Sequence, residues 1–275
     1  MKVRMGCNTL FPDGRLPGEA AFNLDCHRRA LDVIAAAGFH AVEFSHGAAL
    51  TPDELGRAAE HAHSLGLVPW SFHAWSALAG EMAQVDAVIG RYRDAAAVAR
   101  ALGVQVVVVH SGGNGLLEER KRANIETLTA LAGMVGPDTV VAVENGKSLA
   151  DWEFIIEMVA ECRAPNVGLN VDTGHANLGD LGVVRAIELA GPRIRTTHLQ
   201  DNFGQRDDHL PPGQGQIDFV AALSALRLAG YAGVYMVEIS DCPPGREPDA
   251  LGDTHTAAQN LRRFLEEAGM EVLTR

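Results

Sequence analysis

The sequence predicts an α/β fold, namely an eight-stranded (β/α)8 barrel of the TIM barrel type. The chain has 275 residues, close to the usual size of one such barrel. Short β-branched segments alternate with helical segments from one end to the other. No glycine-rich dinucleotide-binding fingerprint follows the first strand, which disfavours an open doubly wound sheet. No linker rich in proline, glycine or serine divides the chain, so we expect residues 1–275 to form a single domain.

Eight segments have the composition of buried strands. The run VQVVVVH at residues 104–110 and the run TVVAVEN at residues 139–145 are apolar almost to their ends, as expected when both faces of a sheet are covered. The predicted strands are residues 3–9, 40–45, 67–73, 104–110, 140–145, 167–172, 194–199 and 234–240.

Segments between these strands carry apolar residues at three- and four-residue spacing, which predicts amphipathic helices. They include residues 27–39, 82–103, 125–136 and 221–233. Thr51, Pro52 and Glu54 form the start signal of a further helix, with an N-cap, a proline at the first helical position and a capping-box carboxylate. Glycines stand where helix C-caps are expected, at Gly38, Gly66, Gly103 and Gly230.

Composition limits the function classes. The net charge of −12 disfavours nonspecific binding to nucleic acid or to an anionic membrane, because both require clustered lysine and arginine. We find no signal peptide and no apolar run long enough to cross a bilayer, so we expect a cytoplasmic protein that does not bind membranes. The cysteines are scattered without a CxxC pair and predict reduced structural thiols, at Cys7, Cys26, Cys162 and Cys242.

Polar residues recur at the carboxyl ends of the predicted strands, which converge on one face of a barrel. They are Glu43, His73, His110, Glu144, Asp172, His198 and Glu238. Any one of them alone is more often a hydrogen-bonding or capping residue than a ligand. Several carboxylates in one barrel mouth would repel each other without a cation. Their oxygen and imidazole donors suit Mn²⁺, Mg²⁺, Co²⁺ or Zn²⁺, so we expect a divalent metal cofactor.

Two further segments add polar residues to the same face. His175 follows Asp172 by three residues, in the turn after the sixth strand. The segment 200–216 is a long irregular stretch after the seventh strand and carries the pair Asp207 and His209. This pair has two equally acceptable interpretations, as additional ligands or as part of a solvated polar loop.

The segments GFHAVEFS, VVVVHSGG, VENG, NVDTGHAN, HLQDNFGQRDDHLPPGQGQIDF and VEIS resemble the xylose isomerase-like TIM barrel superfamily, which includes sugar phosphate isomerases and epimerases and, more distantly, endonuclease IV. The likeness covers nearly the whole chain. For the sugar epimerases it implies one metal ion held by Glu144, Asp172, His198 and Glu238. It also implies that His175 contacts the substrate. The arginine that the family places in the loop after strand seven has no equivalent at the expected spacing, and Arg206 is the nearest candidate.

Endonuclease IV offers a competing match, because it holds three zinc ions through nine ligands and this chain has a residue for each. The four positions above would be joined by His73, His110, His175, Asp207 and His209 as additional metal ligands. Against this match, His73 is followed by the apolar segment AWSALAG, and the loops show no basic surface for DNA.

The leading hypothesis is a metal-dependent isomerase or epimerase acting on a sugar, sugar phosphate or cyclic polyol by proton transfer through an enediolate. Glu144 and Glu238 would be the catalytic base and acid. The residues that would bind substrate are His175, Arg206 and Glu43. For Glu43, pairing with a neighbouring strand-end residue is an equal alternative. The other hypotheses are an endonuclease IV-like zinc phosphodiesterase acting on abasic DNA, an inosose dehydratase-like lyase and a noncatalytic carbohydrate-binding barrel. The expected partner is a small carbohydrate, no nucleic acid partner is expected, and a homodimer is an open possibility.

Overall fold

Each of the eight predicted strands is present in the computed structural model, which describes residues 1–9, 22–114, 118–240 and 249–274. Cys242 lies outside these residues. A short ninth strand pairs with the start of the first. The strands are β1 (Lys2–Asn8), β2 (Ala41–Phe44), β3 (Val68–Ala77), β4 (Val106–His110), β5 (Val140–Glu144), β6 (Val167–Asp172), β7 (Ile194–His198), β8 (Val234–Val237) and β9 (Glu271–Val272).

The first eight strands form a nearly closed parallel barrel, which confirms the predicted fold class. Their order is β7-β6-β5-β4-β3-β2-β1-β8, and β1 pairs in parallel with both β2 and β8. The remaining gap, between β7 and β8, is spanned just beyond the end of β7. There the Leu199 amide donates to the carbonyl oxygen of Met236 at 2.8 Å, and Leu199 forms an isolated parallel bridge with Val237.

Helices follow every strand of the barrel. They are α1 (Leu24–Ala36), α2 (Pro52–Ser64), α3 (Val85–Leu102), α4 (Glu118–Val135), α5 (Leu149–Glu161), α6 (Thr173–Asn177), α7 (Val183–Ala190), α8 (Phe219–Leu228) and α9 (Ala250–Glu267). Within the residues that the structure describes, no helix is long and apolar enough to cross a membrane.

The predicted helix boundary signals are confirmed. Thr51 caps α2 through a complete capping box, in which its backbone amide donates to Glu54 Oε2 at 2.9 Å and its hydroxyl oxygen accepts from the Glu54 amide. The four glycines predicted as C-caps all have positive φ angles, between 68° and 91°. That backbone conformation favours glycine, because a side chain there is strained.

The barrel interior is apolar at one end and polar at the other. At the apolar end, Trp70 packs against Val106, Val108 and Ala142, and its indole nitrogen donates to Thr196 Oγ1 at 3.1 Å. Alternate residues of a strand face the same side. The inward positions of Val106 and Val108 therefore continue to His110, at the carboxyl end of β4. The same alternation brings the polar strand ends together above the apolar floor of the barrel.

Candidate active site

Four polar residues predicted at strand ends meet at the carboxyl end of the barrel. Glu144 ends β5, Asp172 ends β6 and His198 ends β7, while Glu238 directly follows β8. Each of these side chains is at most 2% exposed. The β-sheet register places Glu144 beside Asn170 and Asp172 beside His198, so the fold itself fixes these neighbours.

His198 lies at the centre of this group. Its Nδ1 is 2.9 Å from Glu144 Oε2 and 3.1 Å from Glu238 Oε2. Asp172 is connected to this group through Glu144 and His175, because one donor atom from each of these three residues lies within 4.8 Å of the others. The four residues that the sequence resemblance matches to the epimerase metal ligands are therefore neighbours in the structure.

A second group lies toward β3 and β4. His73 Nδ1 is 3.3 Å from Glu238 Oε1, and His73 Nε2 is 3.0 Å from His110 Nε2. His110 Nδ1 is 3.8 Å from Glu144 Oε1. One donor atom from each of His73, His110 and Glu144 lies within 4.8 Å of the others, so Glu144 is shared between this group and the one around Asp172.

A third group lies toward the loop after β7. His175 Nε2 is 2.8 Å from Asp207 Oδ2, and His209 Nε2 is 3.4 Å from Asp207 Oδ1. His209 Nδ1 is also 3.8 Å from Glu238 Oε2. The loop pair Asp207 and His209 thus faces the strand ends rather than open solvent, and all nine candidate ligands named from the sequence lie in connected groups.

The loop that carries Asp207 and His209 is folded around one buried carboxylate. Asp201 accepts hydrogen bonds from the backbone amides of Gly213, Gly215 and Ile217 at 2.8–3.1 Å. It also pairs with Leu210 in a two-way backbone bridge. The segment 200–216 therefore has a defined conformation without helix or long strand.

The surroundings set the ionisation of the two central carboxylates. Burial raises the pKa of Glu144, but His110 and His198 outweigh it and hold that pKa well below its usual range. Burial likewise raises the pKa of Glu238, and His198 more than compensates. Both carboxylates are therefore ionised at neutral pH, the state in which a carboxylate binds a metal ion.

The remaining ionisable groups are shifted by the same neighbours. Burial raises the pKa of Asp172 to about 7. Burial lowers the pKa of His175, but Asp172, Asp207 and Glu144 raise it to about 12. A cation beside Asp172 would favour its ionised form.

The donor atoms fit a divalent cation. Within the described part of the chain, several of them are buried and make no hydrogen bond: Glu43 Oε1, His73 Nδ1, Glu144 Oε1, His198 Nδ1, His209 Nδ1 and Glu238 Oε1. Each of these atoms lies within 3.8 Å of an ionisable partner without making a hydrogen bond, an arrangement that a cation between the donors would satisfy. Carboxylate oxygens and imidazole nitrogens without a thiolate match a hard or borderline metal ion.

A cavity of about 520 Å³ opens beside the strand ends. His110, Glu144 and His175 form its inner end. Hydroxyl, amide and charged groups line the rest, from Ser111, Asn114, Arg120, Asn145, Lys147, Ser148 and Asp151. These groups donate and accept hydrogen bonds, which suits a polyhydroxylated molecule.

Trp75 lies beside the candidate ligands. The ring of Trp75 stacks on His73 with a centroid separation of 4.3 Å, and its side chain is 48% exposed. Its φ angle is 51°, in the left-handed region that side chains rarely adopt. His209, on the opposite loop, has a φ angle of 48°. Strained backbone of this kind concentrates at functional sites.

Two residues expected to bind substrate lie apart from this cavity. The Arg206 side chain is 68% exposed and its Nε pairs with Asp208 Oδ1 at 2.6 Å. Glu43 is 0% exposed and contacts His198 and Ser71. Of the two interpretations of Glu43, pairing with a neighbouring strand-end residue is the arrangement observed.

Sequence reasoning did not identify the polar residues that support the candidate ligands. Asn170 Nδ2 donates to Glu144 Oε2 at 2.8 Å, and Gln200 Nε2 donates to Asp207 Oδ1 at 2.7 Å. Asn170 is two residues before Asp172 and Gln200 is two residues after His198, so strand alternation places each pair on one side. The two-residue period of a β-strand was therefore the sequence signal that could have identified Asn170 and Gln200.

Comparisons with known proteins agree with this architecture. The sequence model of a family described as xylose isomerase-like TIM barrel matches residues 31–268, which is more than half of the chain. Among solved structures, that of an L-ribulose 3-epimerase superposes with a TM-score of 0.79 at 21% identity, over 97% of this chain and 96% of that one. At this level of identity the likeness shows the fold.

Curated relatives are similar over part of their length. The inosose isomerase of Bacillus subtilis is 28% identical over 166 residues, covering 55% of this chain and 60% of that protein. The D-psicose 3-epimerase of Enterocloster bolteae is 26% identical over 245 residues, covering 77% of this chain and 76% of that protein. The chain spans 54%, 21% and 60% of the lengths of three of its curated relatives.

Proposed function

Because the chain belongs to the xylose isomerase-like TIM barrel family, we propose that it is a metal-dependent sugar isomerase or epimerase. The observation that carries this proposal is the arrangement of two ionised, buried carboxylates, Glu144 and Glu238, on either side of the same imidazole nitrogen of His198. Two carboxyl groups converging on one place can remove and return a proton.

The proposed metal ligands are Glu144, Asp172, His198 and Glu238. When bound, a divalent cation would supply Lewis-acid stabilisation of the negative charge that develops on the substrate's carbonyl oxygen. Its identity would be Mn²⁺, Mg²⁺, Co²⁺ or Zn²⁺ on the chemistry of the donors.

The protein's own residues perform the proton transfers in this proposal. One of the two carboxylates takes the proton from the carbon next to the carbonyl, and the C–H electron pair forms the carbon–carbon double bond of an enediolate. The other glutamate, after taking a proton from solvent, returns it to the opposite face, which inverts that carbon, and the first glutamate then releases its proton to solvent. Each transfer contributes roughly 10²- to 10⁴-fold to the rate.

The cavity beside Glu144 and His175 would hold the rest of the substrate. His175 lines the cavity and is 2.8 Å from Asp207, which fixes the direction of its ring. His175 would therefore orient a substrate oxygen at the inner end. Hydroxyl groups further along would bond to side chains such as Ser111 and Asn114.

The names of the relatives support a carbonyl-containing polyol as the substrate class. One is called an inosose isomerase and another a D-psicose 3-epimerase. Inosose is a cyclic ketone and psicose is a ketose, so both have a C–H bond next to a carbonyl group from which a base could take a proton. Dehydration of a cyclic polyol would begin with the same removal of a proton next to the carbonyl. The proposal therefore includes dehydration as an alternative reaction of the same site.

A zinc-dependent phosphodiesterase is the second candidate. The observation that favours it is the presence of four connected ligand groups among the described residues, of which one contains His73, His110 and Glu144 and another His175, Asp207 and His209. Clustered metal ions activate water and stabilise the leaving oxygen in such enzymes. The net charge of −12 is unfavourable for binding a DNA backbone.

Metal analysis of the purified protein separates the two candidates. We expect about one divalent metal ion per chain, together with deuterium incorporation from D2O next to the carbonyl of a ketose or inosose. Close to three zinc ions per chain, with cleavage of an abasic duplex and no deuterium incorporation, would replace the isomerase with the phosphodiesterase.

Substitution of the two carboxylates tests their roles. Glu144→Gln and Glu238→Gln should each lower turnover by roughly 10²-fold or more, because the amide cannot accept the substrate proton. Circular dichroism should show an intact fold. The matched control is Glu157→Gln, whose carboxylate is on the exposed face of α5 and pairs with Lys121. Unchanged turnover and exchange in either site variant would contradict the assignment.

A further inference from the structure

The two ring nitrogens of His198 face different carboxylates. Nδ1 faces Glu144 and Glu238, at 2.9 and 3.1 Å. Nε2 faces Glu43 and is 3.1 Å from both of its oxygens. Glu43 lies on β2, on the far side of the ring from the other two glutamates, so the imidazole is held between opposite groups.

Glu43 is itself held in place. The hydroxyl group of Ser71 donates to Glu43 Oε2 at 2.7 Å, and the β2–β3 register puts these two residues opposite each other. Glu43, Ser71 and His198 are all 0% exposed. Among the residues that the structure describes, His198 is the one ion-pair partner of Glu43. The carboxylate therefore has a fixed position and pairs with the His198 imidazole, while a donor atom of His73 lies within 4.8 Å in the same group.

A buried carboxylate next to an imidazole can determine which ring nitrogen of that imidazole carries the proton. A neutral imidazole carries one N–H, and it binds a metal ion through the other nitrogen. Ligating histidines commonly donate that N–H to a carboxylate, which selects the tautomer and sets the plane of the ring. Glu43 is suitably placed to accept the Nε2–H, leaving the Nδ1 lone pair directed between Glu144 and Glu238.

We propose that Glu43 is a positioning residue that fixes the tautomer and ring orientation of His198 for metal binding through Nδ1. Its role is to hold the metal-ligating side chain of His198 and not to contact the sugar. The side chain has no exposed surface and does not line the cavity beside Glu144. The inference rests on the proposed metal site, and it is independent of which sugar is used.

Metal affinity is the measurement that tests this proposal. Titration calorimetry of the metal-depleted protein with Mn²⁺ should show Glu43→Gln binding about 10- to 100-fold more weakly than the unmodified chain. The amide has nearly the same volume but carries no charge and can present a donor to Nε2. Ser71→Ala should weaken binding in the same direction and to a smaller extent, because Glu43 loses its fixed hydroxyl partner.

A structural role would give a different result. If Glu43 only stabilised the barrel, Glu43→Gln would lower the melting temperature of the metal-depleted protein and leave Mn²⁺ affinity unchanged within about twofold; that outcome overturns the proposal. Glu157→Gln serves as the matched exposed control and should change neither quantity. Should Glu43→Gln fail to fold, Ser71→Ala carries the same comparison.

Nitrogen-15 spectra of the histidine side chains provide a second readout. In the protein loaded with diamagnetic Zn²⁺ or Mg²⁺ we expect His198 to carry its proton on Nε2, and we expect that proton to exchange faster with solvent in Glu43→Gln. A proton on Nδ1 with metal on Nε2 would overturn the proposal. Failure of the proposed function looks different: Mn²⁺ would bind, and weaken on substitution of Glu43, while no sugar exchanged a proton.

Discussion

Gly174 leaves the space that the side chain of Gln200 fills. A Cβ atom at position 174 would lie 2.0 Å from Gln200 Cδ and 2.1 Å from its Oε1. Gln200 is 0% exposed, and its Nε2 donates to Asp207 Oδ1 at 2.7 Å and lies 3.3 Å from Asp172 Oδ1. At the residue scale, one missing methyl group thus permits the contact that joins two of the candidate ligands.

We expect Gly174→Ala to destabilise the protein by about 1–3 kcal/mol, because the added methyl group overfills a closely packed position. It should also weaken metal binding, since Gln200 must give up its bonds to Asp172 and Asp207. Chemical denaturation and metal titration check the two effects.

Gly133→Ala is the matched control for this substitution. Gly133 lies within α4, and a Cβ atom there would meet nothing within 4 Å. Alanine at this helical position should stabilise the protein by roughly 0.5–1 kcal/mol. If both alanine variants were equally stable, the packing explanation for Gly174 would be wrong.

The loop 200–216 behaves as an element in its own right, although it lacks helix or long strand. The Asp201 carboxylate binds three of its backbone amides, and a Cβ atom on Gly215 would lie 2.4 Å from Asp201 Oδ1. The amide of Ser240 donates to the carbonyl oxygen of His209 at 3.0 Å, which ties the loop to the segment after β8. These contacts hold the part of the loop that carries Asp207 and His209 in a defined conformation.

Asp201→Ala should cost about 3 kcal/mol or more, because three backbone amides, of which that of Ile217 is buried, lose their shared carboxylate acceptor. Hydrogen exchange of the Gly213, Gly215 and Ile217 amides should become faster. Arg206→Gln in the same loop is the control, since the Arg206 side chain is 68% exposed and pairs with Asp208 rather than with the amides that Asp201 binds. Unchanged exchange at the three amides in Asp201→Ala would contradict this account of the loop.

The capping box of α2 offers an independent test of an element predicted from sequence. Thr51→Ala should lower the free energy of unfolding by about 1 kcal/mol, because the first turn loses a side-chain acceptor. Thr129→Ala, at an exposed position within α4, should be neutral or slightly stabilising, since alanine has the higher helix propensity. Denaturant titrations of both variants make the comparison, and equal losses would refute a specific capping role.

At the scale of the whole molecule, the barrel mouth concentrates negative charge in a chain that is already acidic. The net charge is −12, and Glu43, Glu144, Asp172, Asp207 and Glu238 lie within the connected groups at the strand ends. A cation bound there would link strands from both halves of the barrel. Metal binding should consequently stabilise the entire fold.

Addition of Mn²⁺ at 100 times its dissociation constant should stabilise the folded protein by about 2.7 kcal/mol. For a chain of this size that corresponds to a rise in melting temperature of roughly 5–10 °C. Thermal unfolding with and without Mn²⁺ checks this, with NaCl at matched ionic strength as the control. A melting temperature that did not respond to Mn²⁺, Mg²⁺, Co²⁺ or Zn²⁺ would count against the metal site.

The fold was largely predictable because its signals are local and repeated. The apolar runs and glycine C-caps recur along the chain, and each predicted strand is present with its ends shifted by a few residues. The largest shift is in β3, which continues past His73 to Ala77 through an irregularity in its pairing with β4. Such an extension depends on the neighbouring strand, which the local sequence does not describe.

The candidate ligands were predictable in position but their supporting contacts were not. Strand alternation places His110, Glu144 and Asp172 on the inner side of the barrel. Contacts such as Ser71 to Glu43 and Asn170 to Glu144 depend on the register between strands. Register arises from the tertiary packing of the whole barrel, so the position of Glu43 behind His198 could not be derived from spacing alone.

The closure of the barrel between its first and last strands has a consequence during protein synthesis. Of the eight barrel strands β1 is synthesised first, yet its partner β8 is synthesised after all the others. Until then both β1 and β7 present unpaired backbone edges, which are prone to pairing with other chains. Glu238 follows β8 directly, so the emergence of that strand completes the barrel and the candidate active site in the same event.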